Sequence, residues 1–241
     1  MKKNHPNTRK RCEIFFISIL VFCFCNISVK AQLSGTYTVG SGGDYSTFHD
    51  AVTALEQNGV SGPAVFNILT GDYADTAIIS YIPGVSESNS VTFQSQTQNP
   101  DDVRIWWAGS TDGFNYVVKL DSVQYLSFKY ITFENSSSNG YNRVIAFQDT
   151  CKHLNFTGNV FKSAASTSVS SNRANVYLYN DPAEDITFEG NSFEGGIYGI
   201  YARRYSSSSA VRDINIINNT FDNYTTGIYI YSQYDLYIEN N

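Results

Sequence analysis

Two sets of side chains recur along this chain at intervals that bring them into columns, and their types define the chemistry to consider. The segments RVIAFQ from 143, NVYLYN from 175, GIYARR from 199 and GIYIYS from 227 alternate aliphatic and aromatic residues. With Val144, Val176, Ile200 and Ile228 directed inward, strand alternation sends Ile145, Tyr177, Tyr201 and Tyr229 outward as one column. Phe147, Tyr179, Arg203 and Tyr231 form the next. Flat aromatic faces repeated every ~4.8 Å suit the apolar faces of sugar rings, while the phenols and Arg203 offer hydrogen bonds. Phe147, Tyr177, Tyr179, Tyr201, Arg203, Tyr229 and Tyr231 are therefore the candidate ligand-binding residues. The competing explanation is structural: Tyr is favoured on half-exposed strands, and long Ser-rich turns can fold over it.

The second column is acidic. Asp185, Asp213 and Asp235 each precede the aliphatic residue that opens a repeat block, and His153 takes that slot one block earlier. Carboxylates stacked at strand spacing repel unless solvent, backbone amides or a cation separates them. Capping a turn is the ordinary role of Asp there. Calcium is the sharper reading, because Asp181 and Glu184 lie nearby as further oxygen donors, although no fixed-spacing calcium loop is present. No other cofactor is expected. Catalysis needs more than these columns supply. No acid stands among the outward positions, Arg203 is the one base there, Arg204 and Arg212 read as solvated charges, and His49 falls on a helix, so no catalytic residue is assigned.

The elements that must position these columns are written in a repeat. The blocks LNFTGNVF, ITFEGNSF, INIINNTF and LYIENN place Asn five residues after an aliphatic residue: Leu154/Asn159, Ile186/Asn191, Ile214/Asn219 and Leu236/Asn241. An earlier block, LSFKYITF from Leu126 to Phe133, has Ile131 in place of Asn. Apolar residues alternate with period two and are rich in Phe, Tyr, Ile, Val and Thr, so each unit is a coil of short strands rather than helices. Stacking equivalent strands in register buries one continuous core. Asn159, Asn191, Asn219 and Asn241 then form a ladder whose amides bond to each other and to turn backbone. Less regular strands precede these blocks at 64–69, 77–82, 90–95, 103–108 and 115–120. The fold class is all-β, a parallel β-helix.

The IxFxxNxF pattern resembles the right-handed parallel β-helix repeat of the pectin-lyase-like group, which includes pectate lyases and pectin methylesterases. YTVGSGGDYSTFHDAVTAL, residues 37–55, is similar to the opening of such proteins, in which a strand and a glycine-rich turn lead into a helix that caps the first coil. Ser46 or Thr47 can cap that helix, Asp50 suits its positive end, Phe48, Ala51, Val52 and Leu55 make an apolar stripe, and Gly59 and Gly62 stop it. GDYAD at 71–75 is similar to the GxYxE turn of the methylesterases, where it is a structural turn of the first coil. QDT at 148–150 is similar to one of their motifs, but it precedes the phenylalanine-rich strand that it should follow, and their DFxFG motif has no counterpart. An esterase of that type is therefore not expected. In the resembled group the outer face of the tyrosine strand forms a polysaccharide groove, which implies a polysaccharide or cell-surface glycan as partner.

Ahead of the repeat, Lys2, Lys3, Arg9, Lys10 and Arg11 precede an apolar run from Ile14 to Val29, and Val29 and Ala31 fill the positions that a signal peptidase reads. Residues 1–31 are expected to be a signal peptide and 32–241 the β-helix, secreted or held at the cell surface. Three of the four cysteines leave with that leader, so Cys151 has no partner for an internal disulfide. The whole chain has 16 basic and 22 acidic residues; removing six basic and one acidic residue leaves 10 and 21, a net charge of −11. That balance excludes nucleic acid and anionic membrane surfaces as partners, and no stable membrane insertion is expected after cleavage. Asn241 occupies a ladder position, so the domain is expected to be truncated within a coil. The functional expectation is a carbohydrate-binding or adhesive scaffold. The alternative is the N-terminal part of a polysaccharide lyase or hydrolase whose catalytic coils lie downstream.

Overall fold

The structure, a computed structural model, describes residues 1, 31–109, 111–138, 140–164, 170–179, 182–204, 212–222, 225–231 and 235–241. Apart from its two end residues, the expected signal peptide lies outside the described residues. All elements belong to one compact unit, Ala31–Asn241.

The chain opens with β1 (Leu33–Val39) and helix α1 (Phe48–Asn58), then winds through coils of three strands each. The first three coils are β2 (Val60–Ile68), β3 (Gly71–Ala74), β4 (Ala77–Ile79); β5 (Val91–Ser95), β6 (Val103–Trp107), β7 (Val118–Asp121); and β8 (Gln124–Lys129), β9 (Thr132–Asn135), β10 (Ile145–Gln148). Three more follow: β11 (Cys151–Thr157), β12 (Val160–Ser163), β13 (Ala174–Tyr179); β14 (Ala183–Glu189), β15 (Ser192–Glu194), β16 (Tyr198–Arg203); and β17 (Arg212–Ile217), β18 (Thr220–Asp222), β19 (Thr226–Tyr231), with β20 (Leu236–Glu239) last. Every third strand pairs in parallel with its equivalent, giving sheets ordered β1-β2-β5-β8-β11-β14-β17-β20, β4-β7-β10-β13-β16-β19 and β3-β6-β9-β12-β15-β18. The parallel β-helix read from the repeat is the fold.

In-register stacking turns each inward position into a ladder. Phe66, Phe93, Phe128, Phe156 and Phe188 stack at centroid spacings of 4.6, 5.8, 5.8 and 4.8 Å. Phe133, Phe161, Phe193 and Phe221 do the same at 5.9, 5.0 and 4.7 Å. Burying such a ring contributes about 2–3 kcal/mol. At one end α1 closes the core with Phe48, Ala51, Val52 and Leu55 buried, and Phe48 packs edge-on against Phe93. Thr47 accepts from the Asp50 amide as its N-cap, and Gly59 takes φ 66° at its C-cap.

The asparagine ladder ties successive turns together. The Asn159 amide N–H donates to Asn191 Oδ1, Asn191 N–H to Asn219 Oδ1 and Asn219 N–H to Asn241 Oδ1, each at 2.9 Å. Each preceding residue has a left-handed backbone: Gly158 (φ 64°), Gly190 (φ 64°), Asn218 (φ 55°) and Asn240 (φ 53°), as does Tyr130 (φ 56°) in the coil without the asparagine. Gly158 is further constrained, since a Cβ there would lie 2.7 Å from the Tyr130 ring.

Two local expectations fail. GDYAD does not form a turn: Gly71–Ala74 is β3, its backbone paired with Val103–Trp106, and the Tyr73 phenol donates to the Leu69 carbonyl at 2.7 Å. The strand around 145 also has the opposite alternation to the one expected. The amides of Val117 and Val118 both donate to the Val144 carbonyl at 3.0 Å, a bulge that buries consecutive residues. One extra residue reverses every side chain after it. Ile145 therefore pairs with Val118 and Val176 as an inward residue, and Phe147 pairs with Leu120 inside the core, 4% exposed.

Cys151 is a core residue, with Sγ 3.5 Å from the Leu120 carbonyl, and burial pushes its thiol up to about 11. Ellman's reagent is expected to label it only as the protein unfolds. Rapid labelling of folded protein would contradict the burial.

Candidate functional site

The outer face of β4, β7, β10, β13, β16 and β19 presents the column Ile78, Lys119, Ala146, Tyr177, Tyr201 and Tyr229 in hydrogen-bonded register. Phe147 does not belong to it; the bulge places Ala146 and Gln148 outward instead. Tyr179, Arg203 and Tyr231 align as the neighbouring column.

The tyrosines are outward, but Tyr177 and Tyr201 do not offer their faces to solvent. Tyr177 and Tyr201 have centroids 5.6 Å apart and planes within 6°; Tyr201 and Tyr229 are 5.0 Å apart and within 7°. Coplanar rings lying flat on the sheet would collide at such separations, so the rings stand edge-on and cover each other along the solenoid axis. Tyr198 packs across the stack, 5.0 Å from Tyr201 and 5.7 Å from Tyr229. Tyr201 is consequently 5% exposed. The Arg143 guanidinium closes the other face of Tyr177 at 3.5 Å from the ring centroid and bonds to Asn172. Burial pushes the Tyr177 phenol up, opposed by Arg143 and by a hydrogen bond with Ser171. Only Tyr231, 51% exposed with Arg203 5.7 Å from its centroid, retains much open surface. The flat platform expected from alternation is thus a self-stacked wall.

Where the column passes from Tyr177 to Lys119, the small side chain of Ala146 leaves a depression of about 320 Å³. Arg143, Tyr177 and Tyr179 form one flank; Tyr116 and Lys119 form the other, with Gln148 at the edge. The Lys119 ammonium lies 5.5 Å from the Tyr116 ring centroid and donates to Gln148 Oε1 at 2.9 Å, and Gln148 Nε2 donates to Asp121 Oδ2 at 3.2 Å. Two cations and three phenol rings line the depression, and among the described residues no carboxylate does. Lys119, Tyr116 and Arg143 had no signal in the repeat pattern, since the bulge that brings them together adds its residue silently.

The Asp column has a backbone cause. Tyr125, His153, Asp185, Asp213 and Asp235 occupy one slot with φ of 51°, 53°, 55°, 54° and 52°. Asp enters that left-handed region more easily than most residues because its short polar side chain bonds locally. Asp185 is engaged by His153, whose Nδ1 is 2.8 Å from Oδ2. Among the described residues no three His, Cys, Asp or Glu side chains converge as a metal-binding group; Asp181 lies outside the described residues. If Asp185, Asp213 and Asp235 share a cation, a chelator will lower the melting temperature and Asp213→Asn will abolish that fall; an unchanged melting temperature leaves three turn residues.

A family model described as a right handed beta helix region matches residues 115–241. Among solved structures, two crystal structures of the pectin methylesterase from Aspergillus niger are similar. The deglycosylated form has a TM-score of 0.52 at 17% identity, over 88% of this chain and 87% of that one. The penultimately deglycosylated form has a TM-score of 0.52 at 18% identity, over 87% and 86%. No curated protein matches. At these identities the likeness concerns the fold.

Proposed function

We propose that this chain, which belongs to the right-handed β-helix family, is an exported carbohydrate-binding or adhesive scaffold that takes a polysaccharide or cell-surface glycan along the outer face of β7, β10 and β13. The observation that carries this reading is the depression over Ala146. There Lys119 and Arg143 stand at opposite flanks, phenol rings form much of the wall, and no carboxylate among the described residues lines it. On a chain otherwise rich in acids, a depression lined by two cations favours a saccharide that carries carboxylates. The phenols add hydrogen bonds to ring hydroxyls and their rings add apolar contact. Solved structures of similar fold are pectin methylesterases, which supports a polysaccharide as the ligand class.

Gel retardation in polygalacturonate, with dextran as the uncharged comparison, tests the reading. The protein is expected to be slowed by the acidic polymer, and Lys119→Ala should weaken binding about fivefold, because a partly exposed ion pair is worth about 1 kcal/mol. Lys119→Glu should abolish retardation while leaving the melting temperature within about 1 °C. Unchanged migration of folded Lys119→Glu would remove the depression from consideration as the binding site.

A further inference from the structure

β7 and β10 pair so that Lys119 lies beside Ala146 and Asp121 beside Gln148. Side chains two residues apart on a strand share a face, so these four form a square on the outer wall. Ala146 is too short to fill its corner. The Lys119 side chain crosses the square, and its ammonium donates to Gln148 Oε1 on the other strand at 2.9 Å. Asp121 shares the strand and the face of Lys119, yet among the described residues Lys119 forms no ion pair.

The chemistry of the three polar groups fixes their order. A carboxylate only accepts hydrogen bonds. Asp121 Oδ2 therefore takes the Gln148 amide nitrogen, at 3.2 Å, while Asp121 Oδ1 accepts from Ser122 Oγ at 3.2 Å. With its nitrogen held there, the Gln148 amide turns its carbonyl oxygen to Lys119. A carboxylate in direct contact would hold the ammonium and compensate its charge together. The neutral amide holds it and leaves the charge uncompensated, and the ammonium keeps further N–H donors that have no protein acceptor among the described residues.

We infer that Gln148 is a positioning residue, which holds the Lys119 ammonium in place for the carboxylate of an acidic saccharide, with Asp121 setting the orientation of the amide. The inference rests on the acidic-saccharide reading of the depression over Ala146, which Gln148 also borders. A free lysine side chain loses rotamer freedom when a ligand fixes it, and one already held by the protein spares the ligand that cost. Selectivity has the same origin. A neutral amide at position 148 leaves the depression cationic, whereas a carboxylate of the same shape would draw Lys119 into an internal ion pair and repel an acidic ligand.

Gel retardation in polygalacturonate, read together with NMR nitrogen relaxation of the Lys119 ammonium, tests the inference; the signal lost in Lys119→Ala identifies that group. Gln148→Ala should weaken binding about threefold and make the ammonium more mobile. Asp121→Ala should raise that mobility as well, because the amide is then free to turn. In a Lys119→Ala background, Gln148→Ala should weaken binding no further, since its effect passes through the ammonium. Gln148→Glu, of the same shape, should weaken binding about tenfold. Gln148→Met keeps the volume without either bond and replaces Gln148→Ala should that variant unfold. An ammonium no more mobile in Gln148→Ala would overturn the inference. So would an equal loss in the Lys119→Ala background, which would mean that Gln148 touches the polymer itself, or full retardation of folded Gln148→Glu. Those results leave the acidic-saccharide reading standing; unaltered protein that polygalacturonate does not slow removes both.

Discussion

Asn191→Leu is expected to destabilise the solenoid by about 3 kcal/mol, a fall of roughly 6–12 °C in melting temperature for a domain of this size. The Asn191 side chain accepts from the Asn159 amide N–H at 2.9 Å and from Asn159 Nδ2 at 3.1 Å. It donates to the Phe156 carbonyl at 2.9 Å and to Asn219 Oδ1 at 3.0 Å. Leucine has similar volume but replaces none of these bonds. The Asn159 N–H loses its acceptor in a turn where Asn159, Asn191 and Asn219 are all buried, and each unsatisfied buried group costs about 1–3 kcal/mol. Thermal unfolding of Asn191→Leu beside the unaltered protein checks this, and an unchanged melting temperature would mean that the ladder bonds are dispensable.

Tyr201→Ala is expected to cost about 3 kcal/mol, in the range of other large-to-small changes at buried aromatic sites. The ring is stacked on both faces, by Tyr177 and Tyr229, and meets Tyr198 edge-on, so its removal opens a gap in the middle of the wall. Tyr231→Ala, at a ring 51% exposed, should stay within about 0.5 kcal/mol. Neither change should alter retardation by polygalacturonate much, because the proposed depression lies beyond Tyr177 from both residues. If Tyr201→Ala keeps its melting temperature and loses polysaccharide binding, the stacked wall is a ligand platform after all and the assignment to Lys119 and Arg143 fails.

The contrast between Asn191 and Phe147 explains which parts of this molecule are legible without coordinates. Asn191 recurs in a fixed slot beside aliphatic and aromatic neighbours, so its role follows from repetition. Counting alternate residues from Val144 puts Phe147 outward, and counting fails wherever a bulge inserts an unpaired position. The shared carbonyl at Val144 is such a point, and the amino-acid types of Val117, Val118, Val144 and Ile145 contain no mark of it, since all four are apolar and buried. The aspartate column has a similar character: its spacing is visible, but the left-handed backbone that makes Asp suitable is a property of the turn.

By itself the sequence determined the coil, the parallel stacking, the capping helix with its stop at Gly59, and the ladder of Asn159, Asn191, Asn219 and Asn241. These depend on short-range periodicity and on the same residue type returning once per coil, both of which are present in one dimension. Tertiary structure alone decided how the tyrosines stand, where the wall opens, and which charges meet. Tyr201 faces Tyr177 and Tyr229 rather than solvent because rings at strand spacing gain more by covering one another than by lying apart. The depression between Lys119 and Tyr177 exists because Ala146, moved outward by one residue, is too small to fill its place in the column. His153 shares the aspartate slot by its spacing, but that its Nδ1 meets Asp185 Oδ2 and its ring stacks on Tyr125 was decided by how the side chains are turned in the folded coils.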